Sequence, residues 1–120
     1  MFDTYTLNYI SYKLALKDED LDLAKKLIKR ALSLDPNNGF FLDTLGWVEY
    51  KKKNYESSVF LLEKSVSLLP KSSEILDHLG DCYLMLGRKK EAIFEWRKAL
   101  KYETNSEVII SIKEKLKKYE

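Results

Sequence analysis

Apolar residues recur along this chain at spacings of three and four rather than two, which is the periodicity of helices that bury one face. Only four glycines and two prolines interrupt the pattern, so helix is predicted nearly throughout and the predicted fold class is all-α. Pro36 and Pro70 prevent the preceding helices from continuing, and Gly87 suits a left-handed helix end. The predicted helices span residues 4–17, 21–34, 39–52, 55–68, 73–86, 89–102 and 106–119. Their predicted N-caps include Asp3, Asn38, Ser72 and Ser106.

The chain also repeats itself with a period of 34 residues. At this offset the segment LDTLGWVEY, residues 42–50, aligns with LDHLGDCYL, residues 76–84. The offset defines three predicted copies, which are residues 5–38, 39–72 and 73–106. Residues 107–120 begin like the first helix of a fourth copy but have no second helix, which predicts a capping helix. Residues 1–120 are therefore predicted to form a single domain.

A period of 34 residues with small residues at fixed places and proline near its end resembles the tetratricopeptide repeat (TPR). The LDxLG motif is similar to that of bacterial members of this family. Gly46 and Gly80 occupy the family's small-residue position in the first helix, whereas Ser58 and Ser65 replace alanines of the second helix. Tyr12 replaces the small residue in the first copy, which makes that copy the least regular. The resemblance implies a right-handed α-solenoid of about three helix-turn-helix repeats plus the capping helix, with the glycines as spacers between crossing helices.

The charged residues leave no strong global field, because 21 Lys and Arg nearly balance 19 Asp and Glu and the net charge is +2. This balance argues against nucleic acid and anionic membranes as partners. Locally basic stretches occur at residues 51–53 and in the last helix, but neither is interleaved with aromatic residues that would stack on bases. The lysines of the last helix are expected to face water, and they are Lys113, Lys115, Lys117 and Lys118.

No apolar run approaches the roughly 20 residues that a membrane-spanning helix needs. Residues 1–7 also lack the basic region and the apolar stretch of a signal peptide. A single cysteine cannot form an internal disulfide, which fits a reducing compartment. The cytoplasm is the expected location, and the possibility of a longer, exported parent protein stays open.

Residues that could support catalysis or bind a metal are few. His78 and Cys82 are four residues apart and could share a metal ion, but they are the chain's single His and single Cys, and zinc sites normally need three or four ligands. The same shortage excludes Cys-His and Ser-His-Asp catalysis. Asp43, Asp77 and Asp81 are expected to lie on an open surface, where their pKa values would not separate into those of an acid and a base. We therefore expect no enzyme activity, no cofactor and no metal site, and we expect Cys82 to pack in the core.

The resemblance implies a concave groove, since in this family the first helices of successive repeats line the ligand-binding surface. Helical spacing supports this groove, because Asp43, Trp47 and Tyr50 share one helix face. The expected partner-binding residues are Tyr9, Lys13, Phe40, Asp43, Thr44, Trp47, Tyr50, Glu74, Asp77, His78, Asp81 and Leu84. Trp47 is expected to be exposed for contact, with packing beneath its neighbours as the alternative, whereas Trp96 is expected in the core.

The expected groove residues include four acids, which are Asp43, Glu74, Asp77 and Asp81. An acidic strip suits a basic partner segment that carries an apolar anchor. A chaperone-tail adaptor is not expected, because Tyr9 and Lys13 stand where the carboxylate clamp of such family members has Lys and Asn. The expected function is a protein-binding scaffold without enzymatic activity, and self-assembly through exposed terminal repeats is the alternative.

Overall fold

The computed structural model describes residues 2–120, and this part of the chain forms seven α-helices and no strand. The helices are α1 (Thr4–Leu16), α2 (Leu21–Leu34), α3 (Gly39–Lys51), α4 (Tyr55–Leu68), α5 (Ser73–Met85), α6 (Lys89–Tyr102) and α7 (Ser106–Tyr119). The all-α prediction is confirmed, and every helix end lies within one residue of its predicted position. Gly87 follows α5 with a φ of 75°, in the left-handed region as predicted. Within residues 2–120, no helix is long and apolar enough to cross a membrane.

The first turns of several helices are capped by side-chain oxygens. Asp3, Asn38 and Ser72 each accept a hydrogen bond from the backbone N–H three residues on, as predicted. The predicted cap of α7 is wrong by one residue, because Ser106 is already helical and the cap is Asn105. Asn105 has an extended backbone, and its Oδ1 accepts hydrogen bonds from the N–H groups of residues 107 and 108.

The seven helices form a helical-repeat solenoid. Each first helix packs against the helix that follows it, so α1 with α2, α3 with α4 and α5 with α6 form three pairs. The pairs stack through contacts of α2 with α3 and of α4 with α5, while α7 packs on α6. Contacts of α1 with α3 and of α3 with α5 place these first helices side by side along an elongated molecule of 45 × 26 × 24 Å.

The predicted spacer glycines lie where the second helix of a pair packs directly against the backbone of the first. A Cβ atom on Gly80 would lie 2.4 Å from Nε1 of Trp96, and a Cβ atom on Gly46 would lie 2.8 Å from Cγ of Leu62. Both distances are shorter than van der Waals contact, so a larger residue would have to displace the side chain of Trp96 or Leu62 or push the paired helices apart. Trp96 itself is fully buried, as predicted.

Buried serines join the paired helices by hydrogen bonds at the same crossings. Ser58 Oγ donates to the carbonyl oxygen of Gly46, and Ser65 Oγ donates to that of Gly39, both at 2.7 Å. A buried hydroxyl is costly unless it is hydrogen-bonded. The carbonyl oxygens of α3 accept these hydrogen bonds, so serine fits at positions where the family has alanine.

Helix α7 closes the largest apolar core. Ile112 is fully buried and Leu116 nearly so, and both pack in one cluster with Trp96 of α6 and Leu79 of α5. Ile110, on the opposite side of α7, is 57% exposed. The helix thus covers the end of the array with one apolar stripe and presents its other side to solvent.

The expectation that all lysines of α7 face water is wrong for Lys115. Its Nζ lies 2.8 Å from Oδ1 of Asp77 and 2.9 Å from Oδ1 of Asp81, so it pairs with two carboxylates of α5. Lys115 lies three residues after Ile112 and next to Leu116, which places it on the buried side of the helix. The other three lysines of α7 are exposed, as expected.

The close crossing of α5 and α6 predicts that Gly80→Leu destabilises the protein. The new side chain would have to displace Trp96, and we expect the free energy of unfolding to fall by ~1–3 kcal/mol. Urea denaturation followed by circular dichroism measures this change. Ser111→Leu, on the exposed side of α7, is the matched control and should change stability by less than ~0.5 kcal/mol. Equal stability of both variants would contradict the close crossing.

The orientation of α7 predicts different effects for two isoleucines in the same helix. Ile112→Ala leaves a cavity in the core and should cost ~2–5 kcal/mol of unfolding free energy. Ile110→Ala removes an exposed side chain and should cost less than ~0.5 kcal/mol. Thermal unfolding of the two variants checks the prediction, and a larger effect at Ile110 would mean that α7 packs through its other side.

Candidate partner-binding groove

The twelve residues expected to bind a partner lie on α1, α3 and α5, and they differ in exposure. Four are exposed, which are Tyr9, Lys13, Phe40 and Glu74. Four are partly buried, which are Tyr50, Asp77, Asp81 and Leu84. Four are buried, which are Asp43, Thr44, Trp47 and His78. The exposed and partly buried residues are therefore the part of the expected site that a partner could reach directly.

A network of polar side chains connects the three first helices. Nδ1 of His78 donates to Oδ1 of Asp43 at 2.8 Å, which joins α5 to α3. The hydroxyl of Tyr12 donates to Oε1 of Glu74 at 2.9 Å, which joins α1 to α5. The hydroxyl of Thr44 donates within α3 to the carbonyl oxygen of Phe40 at 3.2 Å. Several polar atoms of the expected site thus already form hydrogen bonds within the chain.

Trp47 does not have the expected exposure, since only 8% of its surface is accessible. Its ring stacks on Tyr50 with a centroid distance of 4.4 Å and on His78 with a centroid distance of 3.9 Å. The first ring is one turn along the same helix and the second comes from the next pair, so packing across the stack covers the indole. The alternative that Trp47 packs beneath its neighbours is the correct one. Its indole Nε1 is buried without a hydrogen-bond partner.

Charge and burial compete at His78. Burial lowers the pKa of His78, but the charge of Asp43, the hydrogen bond to it and the charges of Glu74 and Asp77 together outweigh burial and raise the pKa above its usual value. His78 is therefore more readily protonated than a free imidazole, and a protonated ring forms an ion pair with Asp43.

The acidic strip divides into two parts. Asp77 and Asp81 share the ammonium group of Lys115. Burial raises the pKa of Asp81 and outweighs the ammonium of Lys115, which lowers it, while the charge of Asp77 raises it further. Asp43 and Glu74 form the other part, where His78 supplies the nearby positive charge.

A small cavity of about 90 Å³ opens between the three first helices. Its walls are formed by Asn8, Tyr12, Phe40, Asp43, Thr44 and Glu74. Oδ1 of Asn8 is buried and has no hydrogen-bond partner. The cavity therefore combines two aromatic rings with carboxylate, hydroxyl and amide groups.

Sequence reasoning missed three residues that shape this surface, which are Asn8, Tyr12 and Lys115. Lys115 could have been found, because it follows Asp81 by the repeat offset of 34 residues and so occupies an expected groove position. Tyr12 carried a signal as well, since a large ring at a small-residue position has to turn away from the helix crossing. Asn8 had no such signal, because nothing in its local sequence indicates the cavity.

Cys82, the chain's single cysteine, is not a candidate nucleophile. It is fully buried, as expected, and burial raises the pKa of its thiol to about 12. Its Sγ lies 3.0 Å from Oγ of Ser58. The thiol is therefore protonated at neutral pH and packs between helices α4 and α5.

Family models of the tetratricopeptide repeat match residues 13–38 and 73–106, which together are half of the chain. A TPR repeat-containing protein of Methanocaldococcus jannaschii is 30% identical over 99 residues, or 82% of this chain. The chain spans 17% of the length of that relative.

Two solved structures share the fold. The first TPR of Spaghetti (RPAP3), bound to the HSP90 peptide SRMEEVD, has a TM-score of 0.84 and 18% identity, over 98% of this chain and 90% of that one. The type III secretion chaperone SycD of Yersinia enterocolitica, in complex with a peptide of the translocator YopD, has a TM-score of 0.83 and 17% identity. That likeness covers 96% of this chain and 90% of the other. At these identities the similarity establishes the fold alone.

The aromatic stack predicts that Trp47 stabilises the fold. Trp47→Ala removes a buried ring from between the pairs and should lower the free energy of unfolding by ~3–5 kcal/mol. Tyr9→Ala, at a ring that is 62% exposed in the same groove, should lower it by less than ~0.5 kcal/mol. Denaturant titration of both variants measures the difference. If Trp47→Ala were as stable as Tyr9→Ala, the packing role of Trp47 would be wrong.

Proposed function

We propose that this chain, which belongs to the tetratricopeptide-repeat family, is a non-catalytic scaffold. It binds a peptide or protein segment along α1, α3 and α5. The observation that carries the proposal is the exposure of aromatic rings on these helices. Tyr9 is 62% exposed and Phe40 is 58% exposed. Exposed aromatic side chains beside polar groups are the composition that binding hot spots favour.

The network beneath these rings supports the same proposal. Asp43, Trp47 and His78 are buried and held by stacking and hydrogen bonds, so they form a fixed floor between α3 and α5. A surface that is ordered before binding loses less conformational entropy when its partner arrives. We assign direct contact to the exposed residues and positioning to the buried ones.

Peptide complexes of two similar folds also support binding of a segment, since Spaghetti binds an HSP90 peptide and SycD binds a peptide of YopD. The partner of this chain should differ from a chaperone tail. Tyr9 and Lys13 replace two of the polar clamp residues that such a tail would need, and Glu74 and His78 stand at further groove positions.

We further propose that the partner segment is basic and carries an apolar anchor. Glu74 is exposed on the groove, and Asp77 and Asp81 hold the ammonium of Lys115 at 2.8 and 2.9 Å. The same carboxylates could receive a lysine or arginine of the partner in place of Lys115. The anchor would lie against Tyr9 and Phe40.

Binding kinetics with a partner captured by affinity purification test the proposal. A Tyr9→Ala, Phe40→Ala double variant should dissociate at least about tenfold faster, because hot-spot aromatics contribute 1 kcal/mol or more each. A Phe60→Ala, Phe94→Ala double variant is the matched control. Its rings are 70% and 61% exposed but lie on the second helices α4 and α6, so dissociation should not change.

The control variant and the salt dependence give the outcomes that would contradict the proposal. Faster dissociation of the control alone would place the partner on the second helices.

For the basic segment, Glu74→Lys should slow association at low salt more than at high salt. Association that is faster with Glu74→Lys would reject a basic partner while leaving the groove in place.

Self-assembly is the second candidate function, and exposed apolar side chains at both ends of the array favour it. Phe2 and Tyr5 are exposed before and on α1, and Ile110 is exposed on α7. Apolar surface at terminal repeats allows copies to stack. Light scattering across a dilution series decides this candidate, since a monomer mass at every concentration would reject it.

A further inference from the structure

Three side chains of the groove bring metal-binding atoms together. Glu74 and His78 are four residues apart on α5 and so share one helix face. The stacking of α3 beside α5 adds Asp43, and one donor atom from each of the three residues lies within 4.8 Å of the others. One imidazole and two carboxylates form a ligand set suited to divalent first-row transition metals.

The spacing of the two buried donors is within about 0.5 Å of that of neighbouring metal ligands. Zinc binds histidine nitrogen and carboxylate oxygen tetrahedrally at about 2.0–2.2 Å, so adjacent ligand atoms are about 3.3 Å apart or slightly more. Nδ1 of His78 and Oδ1 of Asp43 are 2.8 Å apart. An ion would lie beside the line that joins these two atoms, so both side chains would have to turn towards it and separate by about 0.5 Å.

The third donor has the freedom to complete the set. Glu74 is exposed, and its contact in the groove is the hydroxyl of Tyr12, 2.9 Å from Oε1. Rotation of this side chain by a small amount would bring Oε1 or Oε2 towards the ion. Tyr12 could remain bonded to the other oxygen and orient the carboxylate, as neighbours of metal ligands commonly do.

The charges around these donors also favour a cation. Among residues 2–120, no lysine or arginine forms an ion pair with Asp43 or Glu74, whereas Lys115 pairs with both Asp77 and Asp81. The acidic strip thus has two parts, and an internal ammonium pairs with both carboxylates of one part. The other has only the imidazole of His78 as a positive partner.

The adjoining cavity provides room and a further oxygen. Its volume of about 90 Å³ exceeds the roughly 30 Å³ that a water molecule occupies, so an ion could keep one or two waters there. Asp43 and Glu74 line this cavity, and so does Asn8, whose Oδ1 is buried without a hydrogen-bond partner. A buried oxygen without a partner, on a residue that lines the same cavity as two carboxylates, is an additional feature that a hydrated cation would satisfy.

We propose that Asp43, Glu74 and His78 form a binding site for one divalent transition-metal ion, with Zn²⁺ as the ion of choice and water at the remaining coordination positions. The site goes beyond the scaffold function and does not depend on it, because the ligands all come from this chain. It contradicts the expectation from sequence that no metal site exists, which rested on the chain's single histidine and single cysteine and did not combine His78 with carboxylates of a neighbouring helix.

Titration of the protein with Zn²⁺, without a histidine tag and after treatment with a chelator, tests the proposal. Calorimetry should show one saturable site per chain. His78 is the chain's single histidine, so its imidazole ring signals in the proton NMR spectrum report directly on the ligand and should shift on addition of Zn²⁺. Mg²⁺ should not displace the bound Zn²⁺, because imidazole is a poor ligand for that ion.

Matched variants decide whether the three residues are the ligands. Glu74→Gln changes an exposed residue, so the fold should persist, and Zn²⁺ affinity should fall about tenfold or more. Glu114→Gln, at an exposed glutamate of α7, should leave the affinity unchanged. Absence of saturable Zn²⁺ binding would overturn the proposal, and so would equal affinity of Glu74→Gln and Glu114→Gln or ring signals of His78 that do not shift.

Discussion

The close packing of the paired helices at Gly46 and Gly80, in the second and third pairs, holds the rest of the structure in place. Gly80 and Gly46 have no side chain, so the side chains of Trp96 and Leu62 lie directly against the backbone of the first helix. This contact fixes the position of each first helix relative to its second helix. Because the pairs then stack regularly, α1, α3 and α5 are brought side by side. The groove is a consequence of that packing.

Within the groove, the polar residues have two roles that follow from burial. Asp43 and His78 are buried and bond to each other, so they hold α3 against α5 rather than face a partner. Tyr9, Phe40 and Glu74 remain exposed and are available for contact. Breaking a desolvated ion pair costs much free energy, whereas an exposed residue exchanges one partner for another at little cost in free energy. The same surface can therefore be rigid and still bind.

The helices and the crossings could be predicted from the sequence, because both depend on residues within one repeat. The misjudged features depend on contacts between repeats. Trp47 is covered by His78 of the next pair, Lys115 reaches back to Asp81, and Tyr12 bonds to Glu74, which is 62 residues away. A periodic pattern shows which face of a helix is inward, but it does not show which side chains of neighbouring repeats will occupy the space between them.

We propose above that the first helices, α1, α3 and α5, form the binding surface. Amide proton–nitrogen NMR spectra of the labelled protein, with and without its captured partner, test this claim directly, because every backbone N–H reports its own surroundings. The largest shifts should fall on α1, α3 and α5, with small shifts on α2, α4 and α6. Shifts confined to the second helices or to the outer side of α7 would contradict the account.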